Sequence, residues 1–194
     1  MMHPDTELRF ISPEIGHGVF ASAFIPKGSI VYIKDLMEIV ILPDDPLRKD
    51  PRYAPLIEKY SYEEPNGNLV FSWDIGRFVN HCCACNTIST GYGFEIALRD
   101  IEAGEEITDE YGLFNSGWEM KLSCSKPGCR GKLSPGDIDV YAGKWDEQIK
   151  DALKVFNLVP QPLEVYMEEI TKKNLDLFLQ KGEGYVSVLT LKKK

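Results

Sequence analysis

No apolar run in the sequence approaches the roughly 20 residues that a bilayer-spanning helix needs, so a helical membrane span is excluded. The opening MMHPDTELRF lacks the basic start, apolar middle and small-residue cleavage site of a secretory signal, and an intracellular protein, cytoplasmic or nuclear, is expected. Basic residues are in deficit: 22 Lys and Arg against 30 Asp and Glu leave a formal charge of −8. Phosphate affinity rests mainly on Lys and Arg, so direct nucleic-acid binding is not expected, and the closing LKKK is too short to reverse this. An acidic surface attracts basic peptides or proteins instead. Cysteine is scarce, and its odd count of five fits complete disulfide pairing poorly. In a reducing compartment, clustered thiols more often bind metal or do chemistry.

Repeats and long low-complexity tracts are also missing, which leaves punctuation and periodicity as the guides. The 194 residues, 43% of them hydrophobic, suit one compact domain or one domain with a small appendage. Leu8 to Ile11, Gly18 to Ala21 and Ser29 to Ile33 are short β-type runs separated by turn residues, and Ile39 to Leu42 extends the pattern. Pro43 to Asn66 holds five prolines and many charges and reads as an insert between strands, with a short helix around Leu56 to Tyr60. Strand-like residues return at Leu69 to Trp73, Phe94 to Leu98 and Glu106 to Thr108. Beyond Asp137 apolar residues recur at helical spacing. Trp145, Ile149, Ala152, Leu153 and Phe156 form one stripe and Leu163 to Leu179 another, predicting two helices divided near Pro160 and Pro162. Such stripes are packing faces.

Chemistry-bearing residues concentrate between these halves. Cys82, Cys83 and Cys85 stand in RFVNHCCACN, Cys124 and Cys129 in SCSKPGC, and a tyrosine flanked by carboxylates in GEEITDEYG. Taken singly, each has an ordinary reading: Gly16 and Gly18 as a strand-joining turn, His81 as a structural histidine, the thiols as buried and metal-free.

Together, GHGVFA at Gly16 to Ala21, RFVNHCCACN at Arg77 to Asn86 and GEEITDEYG at Gly104 to Gly112 resemble the three signature motifs of the SET-domain protein lysine methyltransferases, in matching order and spacing. The resemblance spans roughly Leu8 to Leu133. It implies a mainly β fold of small curved sheets with a knot-like core, to which the sequence adds a C-terminal helical appendage. The division implied is a SET domain over residues 1–114 with an insert at about 43–67, a zinc-binding tail over 115–135 like the family's post-SET segment, and the helices over 136–194.

The activity implied is methyl transfer from S-adenosylmethionine to a lysine amine of a histone or other basic protein, with donor and lysine entering a narrow channel from opposite faces. Gly16, His17 and Gly18 would offer backbone groups to the donor, with Arg77, Asn80, His81 and Tyr111 completing its site. Tyr111 would also be the catalytic residue, its hydroxyl orienting methyl and amine in line. The nucleophile must be neutral lysine, so an ammonium of pKa about 10.4 has to lose its proton first.

The chain departs from the family at Asp109, where most relatives carry an aromatic residue that governs how many methyl groups fit. Its carboxylate either faces the substrate amine or points to solvent, the commoner place for such a group. Three ligands of the structural zinc that many relatives hold are matched by Cys83, Cys124 and Cys129. The fourth position is Leu122, and Cys85 is the substitute, since a structural zinc takes four N or S ligands. Asp109 and the unmatched cysteine keep a second class open: a SET-fold interaction module, stabilised by zinc, whose turnover is weak or lost.

Overall fold

Two strands joined by a tight turn begin the chain. In the computed structural model, which describes residues 1–115, 117, 119–122, 126 and 128–193, β1 (Thr6–Ser12) pairs antiparallel with β2 (Gly16–Ala21). Gly16 sits at φ +87°, a backbone state that side chains disfavour, and this closes the turn. Next come β3 (Ile30–Ile33), buried along its whole length, and β4 (Ile39–Ile41).

The proline-rich insert is structured. Helix α1 (Ala54–Tyr60), with Pro55 in its first turn, runs straight into β5 (Ser61–Glu63), which pairs with β6 (Leu69–Phe71); β6 also pairs with β4, giving the order β4-β6-β5.

The strands that build the site follow. They are β7 (Asn80–His81), β8 (Thr87–Ser89), β9 (Phe94–Ala97) and β10 (Glu106–Asp109). A sheet in the order β3-β9-β8 packs near a second in the order β1-β2-β10-β7, within which β10 runs antiparallel to β2 and parallel to β7. β5, β7 and β8 lack the apolar runs that mark strands; they exist because neighbours offer them partners. Between these sheets Val19, Ile25, Val31, Ala97, Ile101 and Ile107 are fully buried.

A short ribbon, β11 (Met120–Lys121) with β12 (Lys132–Leu133), precedes α2 (Asp137–Leu153), and α3 (Glu169–Lys181) lies near the end of the chain. The stripe from Leu163 predicts one helix, but the structure divides it: Glu164–Tyr166 is a single 3₁₀ turn, and extended backbone at Met167 and Glu168 separates it from α3. Leu163 and Met167 are buried all the same. Helical spacing therefore shows which residues face the core without showing that the backbone between them is helical. Ile30, Ile88, Phe94 and Ile96 of the strands share one apolar cluster with Trp145, Ile149, Leu153, Leu163 and Leu175, so the C-terminal third packs into the main core.

Candidate active site

The end of β10 is the centre of the site. Thr108 pairs with Asn80 and Asp109 with His81, so the chain that carries Tyr111 lies beside a segment nearly thirty residues earlier. Asn86, 1% exposed, fixes that placement with its side chain: Oδ1 accepts from Thr108 N–H at 2.8 Å and Nδ2 donates to Glu106 O at 2.8 Å. Sequence reading passes over Asn86, because an asparagine in a polar loop ordinarily signals a turn.

Tyr111 leaves the strand in a 3₁₀ turn capped by Glu110, whose carboxylate accepts from Gly112 N–H at 2.8 Å. The tyrosine and His81 rings stand 5.5 Å apart, and the phenol donates to the carbonyl of Val79. His81 Nδ1 lies 3.2 Å from Tyr111 N–H and 3.1 Å from Asp109 O. A neutral imidazole nitrogen either accepts or donates, so Nδ1 serves one of these backbone groups and braces the turn. Burial, then the Arg130 guanidinium, lowers the His81 pKa to about 4, which keeps the ring neutral. Burial and the carboxylates of Asp109, Glu95 and Glu106 push the Tyr111 phenol upward, so it remains a protonated donor.

The glycine motif meets Asn80 on the other side of β10. Asn80 Nδ2 donates to His17 O at 3.1 Å and Glu106 Oε1 at 2.9 Å. A Cβ on Gly18 would come within 3.0 Å of that amide nitrogen and 2.6 Å of Ile11 Cδ1, so Gly18 is glycine because chains pack against it. At Gly16 a Cβ would meet nothing within 4 Å, leaving its main chain approachable. His17 is exposed between the rings of Phe10 and Phe78. Arg77 donates from Nη1 to the carbonyls of Ser72, Trp73 and Asp74 and lies over the Phe78 ring.

A cavity of about 870 Å³ opens between the insert and the end of β10, lined by Tyr32, Tyr62, Ser72, Glu95, Asp109 and Tyr111 among others. Arg77 borders it as well; Gly16, His17, Gly18, Asn80 and His81 do not. Solvent is the wrong place for Asp109: the residue is 1% exposed, and its Oδ2 accepts from Ser89 Oγ at 3.2 Å. Strand periodicity explains this, because Asp109 shares a face with buried Ile107. Glu95 in β9 escapes sequence reading, although a lone carboxylate within the apolar run FEIA is a signal.

Burial is the main cause that pushes the Asp109 carboxyl up to about 7, with the Glu110 carboxylate also raising it and hydrogen bonds to backbone and Ser89 opposing. Unfolded, this group loses its proton near its ordinary value of 3.8; folded, it holds on to about 7. Between those values the native state binds the extra proton, so this group's contribution to stability falls as pH rises and stays unfavourable above. Asp109→Asn should therefore stabilise the fold by on the order of 1–3 kcal/mol at pH about 8 and by almost nothing at pH about 4. Urea unfolding at the two pH values checks this, and an equal effect at both would contradict it.

Behind Glu110 lies the cysteine cluster. Cys83 and Cys129 sulfurs are 3.8 Å apart, and backbone N–H groups of Arg130 and Gly131 donate to them at 3.5 and 3.3 Å. Two thiolates on one tetrahedral zinc, at Zn–S of about 2.3 Å, stand about 3.8 Å apart, so this pair fits two corners of such a site. Cys124 lies outside the described residues. Cys85 borders the same small cavity as Cys83, and burial followed by Asp109 and Glu110 raises its thiol pKa. Among the described residues no three or more His, Cys, Asp or Glu side chains are arranged to hold a metal ion. Arg130 binds the tail to the rest: Nη2 donates to Glu110 Oε1 at 2.6 Å, Nε lies 3.7 Å from Asp137 Oδ2, and the guanidinium sits over Tyr141 and Trp145 of α2.

The family model of the SET domain matches residues 16–112. A histone-lysine N-methyltransferase, H3 lysine-4 specific, of Candida albicans is 37% identical over 70 residues, 31% of this chain and 7% of that protein. Histone-lysine N-methyltransferase ASHR3 of Arabidopsis thaliana is 34% identical over 73 residues, 34% of this chain and 15% of its own. A variant-silencing SET domain-containing protein of Plasmodium falciparum is 42% identical over 65 residues, 28% of this chain and 2% of its own. The chain thus spans a small part of the curated relatives it matches.

Proposed function

Because the chain belongs to the SET domain family, we propose that it transfers a methyl group from S-adenosylmethionine to the side-chain amine of a protein lysine, in a histone or another basic protein. The observation that carries this reading is the Tyr111 phenol, a protonated donor that borders the large cavity while its backbone is braced by His81. S-adenosylmethionine supplies, when bound, an electrophilic methyl carbon on a sulfonium. Of this chain's residues, Gly16 fits such a molecule best, with an open backbone next to His17, whose carbonyl accepts from Asn80, and His17 and Gly18 complete that edge. Arg77 belongs to the cavity rim, already tied to three carbonyls. Tyr111 orients the reacting groups, and a lysine seated in the cavity leaves water behind, which favours its neutral form. His81 positions chain and shuttles no proton, in keeping with its low pKa.

The reading assigns residues 1–114 to the SET domain, with α1 and β5 as its insert, 115–135 to a tail like the post-SET segment, and 136–194 to the helices. Zinc held by Cys83, Cys129 and Cys124, with Cys85 as fourth ligand, would clamp the tail against Glu110 and Arg130 and has no part in the chemistry. The formal charge of −8 suits a basic partner in the cytoplasm or nucleus. No helix among the described residues is long and apolar enough to cross a membrane.

One experiment tests the assignment. Metal-replete protein should bind S-adenosylhomocysteine in a calorimetric titration and incorporate labelled methyl into lysine of mixed core histones or ribosomal proteins. Chelation should release about one zinc per chain and depress both signals. Donor binding without methylation of any basic protein would favour the second reading, an interaction module, for which the buried carboxylate at Asp109 and the leucine at 122 speak. Failure to bind the donor would end the methyltransferase reading.

A further inference from the structure

Two carboxylate oxygens on the cavity wall are buried without a hydrogen-bond partner among the described residues: Oδ1 of Asp109 and Oε2 of Glu95. Their residues are 1% and 9% exposed. Ser89 explains how the fold sets them together, since it stands opposite Glu95 in the β8–β9 pairing and donates to the other oxygen of Asp109. Arg48 Nε and Ser61 Oγ on the same wall are likewise buried without a partner among the described residues, but they lie in the insert, whereas the two acids face Tyr111 at the end of β10. Tyr32 donates to Glu38 Oε1 at 2.6 Å, Ser72 donates to the same oxygen at 3.1 Å, and the two hydroxyls are 2.9 Å apart.

Bare buried acceptors are uncommon, because each destabilises the fold unless a donor arrives. Empty, Glu95 and Asp109 are near enough to share a proton with each other, and a ligand that brings two N–H groups can take its place and satisfy both. We propose that Glu95 and Asp109 form the amine-recognition site of the channel, gripping the substrate nitrogen through two N–H···O bonds and so favouring an amine that still carries its hydrogens. The inference rests on the methyltransferase reading and adds Glu95 and a selection rule to it. A lysine amine whose lone pair points at the methyl donor has two N–H groups left, one for each oxygen. A first methyl replaces one of them and strands a carboxylate oxygen. Burial raises the pKa of both acids, so the wall carries less charge than two free carboxylates would and does not lock the lysine in its unreactive ammonium form. The surrounding rings of Tyr62, Phe114 and Tyr111 would by themselves welcome a fully methylated ammonium, so the two preferences oppose each other and can be separated.

The test uses small amines, because it needs no knowledge of the protein substrate. n-Butylamine, its N-methyl derivative and the N,N,N-trimethylammonium analogue are titrated into the full chain, with and without S-adenosylhomocysteine, following the amide signals of Ser89 and Tyr111 by NMR. The primary amine should bind at least about tenfold more tightly than the trimethyl form, the ratio expected when a buried acceptor is left bare. Glu95→Gln and Asp109→Asn, each of which keeps the shape of the wall, should bring the ratio towards one. Equal or tighter binding of the trimethyl form, or no response of these signals to any of the amines, would overturn the proposal in the unaltered protein, whatever the variants do. The S-adenosylhomocysteine titration reports separately on the methyltransferase reading: if the donor fails to bind while the amine ranking holds, the activity is wrong and the amine site stands.

Discussion

Tyr111→Phe should lower methyl transfer to basic protein by about a hundred- to a thousandfold, the usual effect of removing one preorganised polar group from a reacting centre. S-adenosylhomocysteine affinity should change by less than about threefold, because the variant keeps the ring and the backbone turn. Only the hydroxyl is lost. That hydroxyl is buried beside acidic neighbours and stays protonated, and it already spends its hydrogen on the Val79 carbonyl. The bond fixes the direction of the oxygen, which is what a positioning role requires. Its removal leaves the carbonyl of Val79 unpaired and should reduce stability by about 1 kcal/mol, too little to unfold a domain of this size. Single-turnover methylation and a melting curve on the same preparation separate the two effects. Retention of activity within about threefold would remove Tyr111 from the mechanism.

Arg130→Ala should destabilise the protein by about 3–5 kcal/mol, the penalty expected when one member of a buried ion pair is deleted. Glu110 is almost wholly enclosed, its side chain 1% exposed, and Arg130 is its cationic partner at 2.6 Å. The same guanidinium spans Asp137, Tyr141 and Trp145, so one side chain joins the cap of the Tyr111 turn to α2. Burial already raises the Glu110 pKa, with Arg130 holding it down; without Arg130 it rises further. The deficit should accordingly shrink as pH falls through the carboxylate range and the bare acid takes up a proton. Glu110→Gln added to the first change should restore much of the loss at neutral pH, since it removes the stranded charge. Urea midpoints for the single and double variants provide the measurement, and a single-variant loss under about 1 kcal/mol would show that Glu110 is solvated in solution.

Much of this architecture is written locally. Short apolar runs and their turn residues mark β1 to β4, β6, β9 and β10, because strand alternation and glycine or proline punctuation depend on neighbours in sequence. The three motifs likewise locate Gly18, Asn80, His81 and Tyr111, which the fold gathers around β10. Asp109 is misread by composition alone, which sends a carboxylate to solvent, although period-two alternation places it on the face of Ile107. Glu95 is harder. All four residues of β9 are buried, both faces being covered, so alternation carries no information there.

The sequence by itself determined the strands, the two helical stripes and the order of the motifs, for each follows from contacts within a few residues. Tertiary structure alone decided that Asn86 would brace β10, that Arg130 would tie the tail to Glu110 and α2, and that Asp109 and Glu95 would face one cavity with bare oxygens. Those relations join residues far apart along the chain, and a carboxylate's burial, and with it its pKa, exists only once the chain has closed around it.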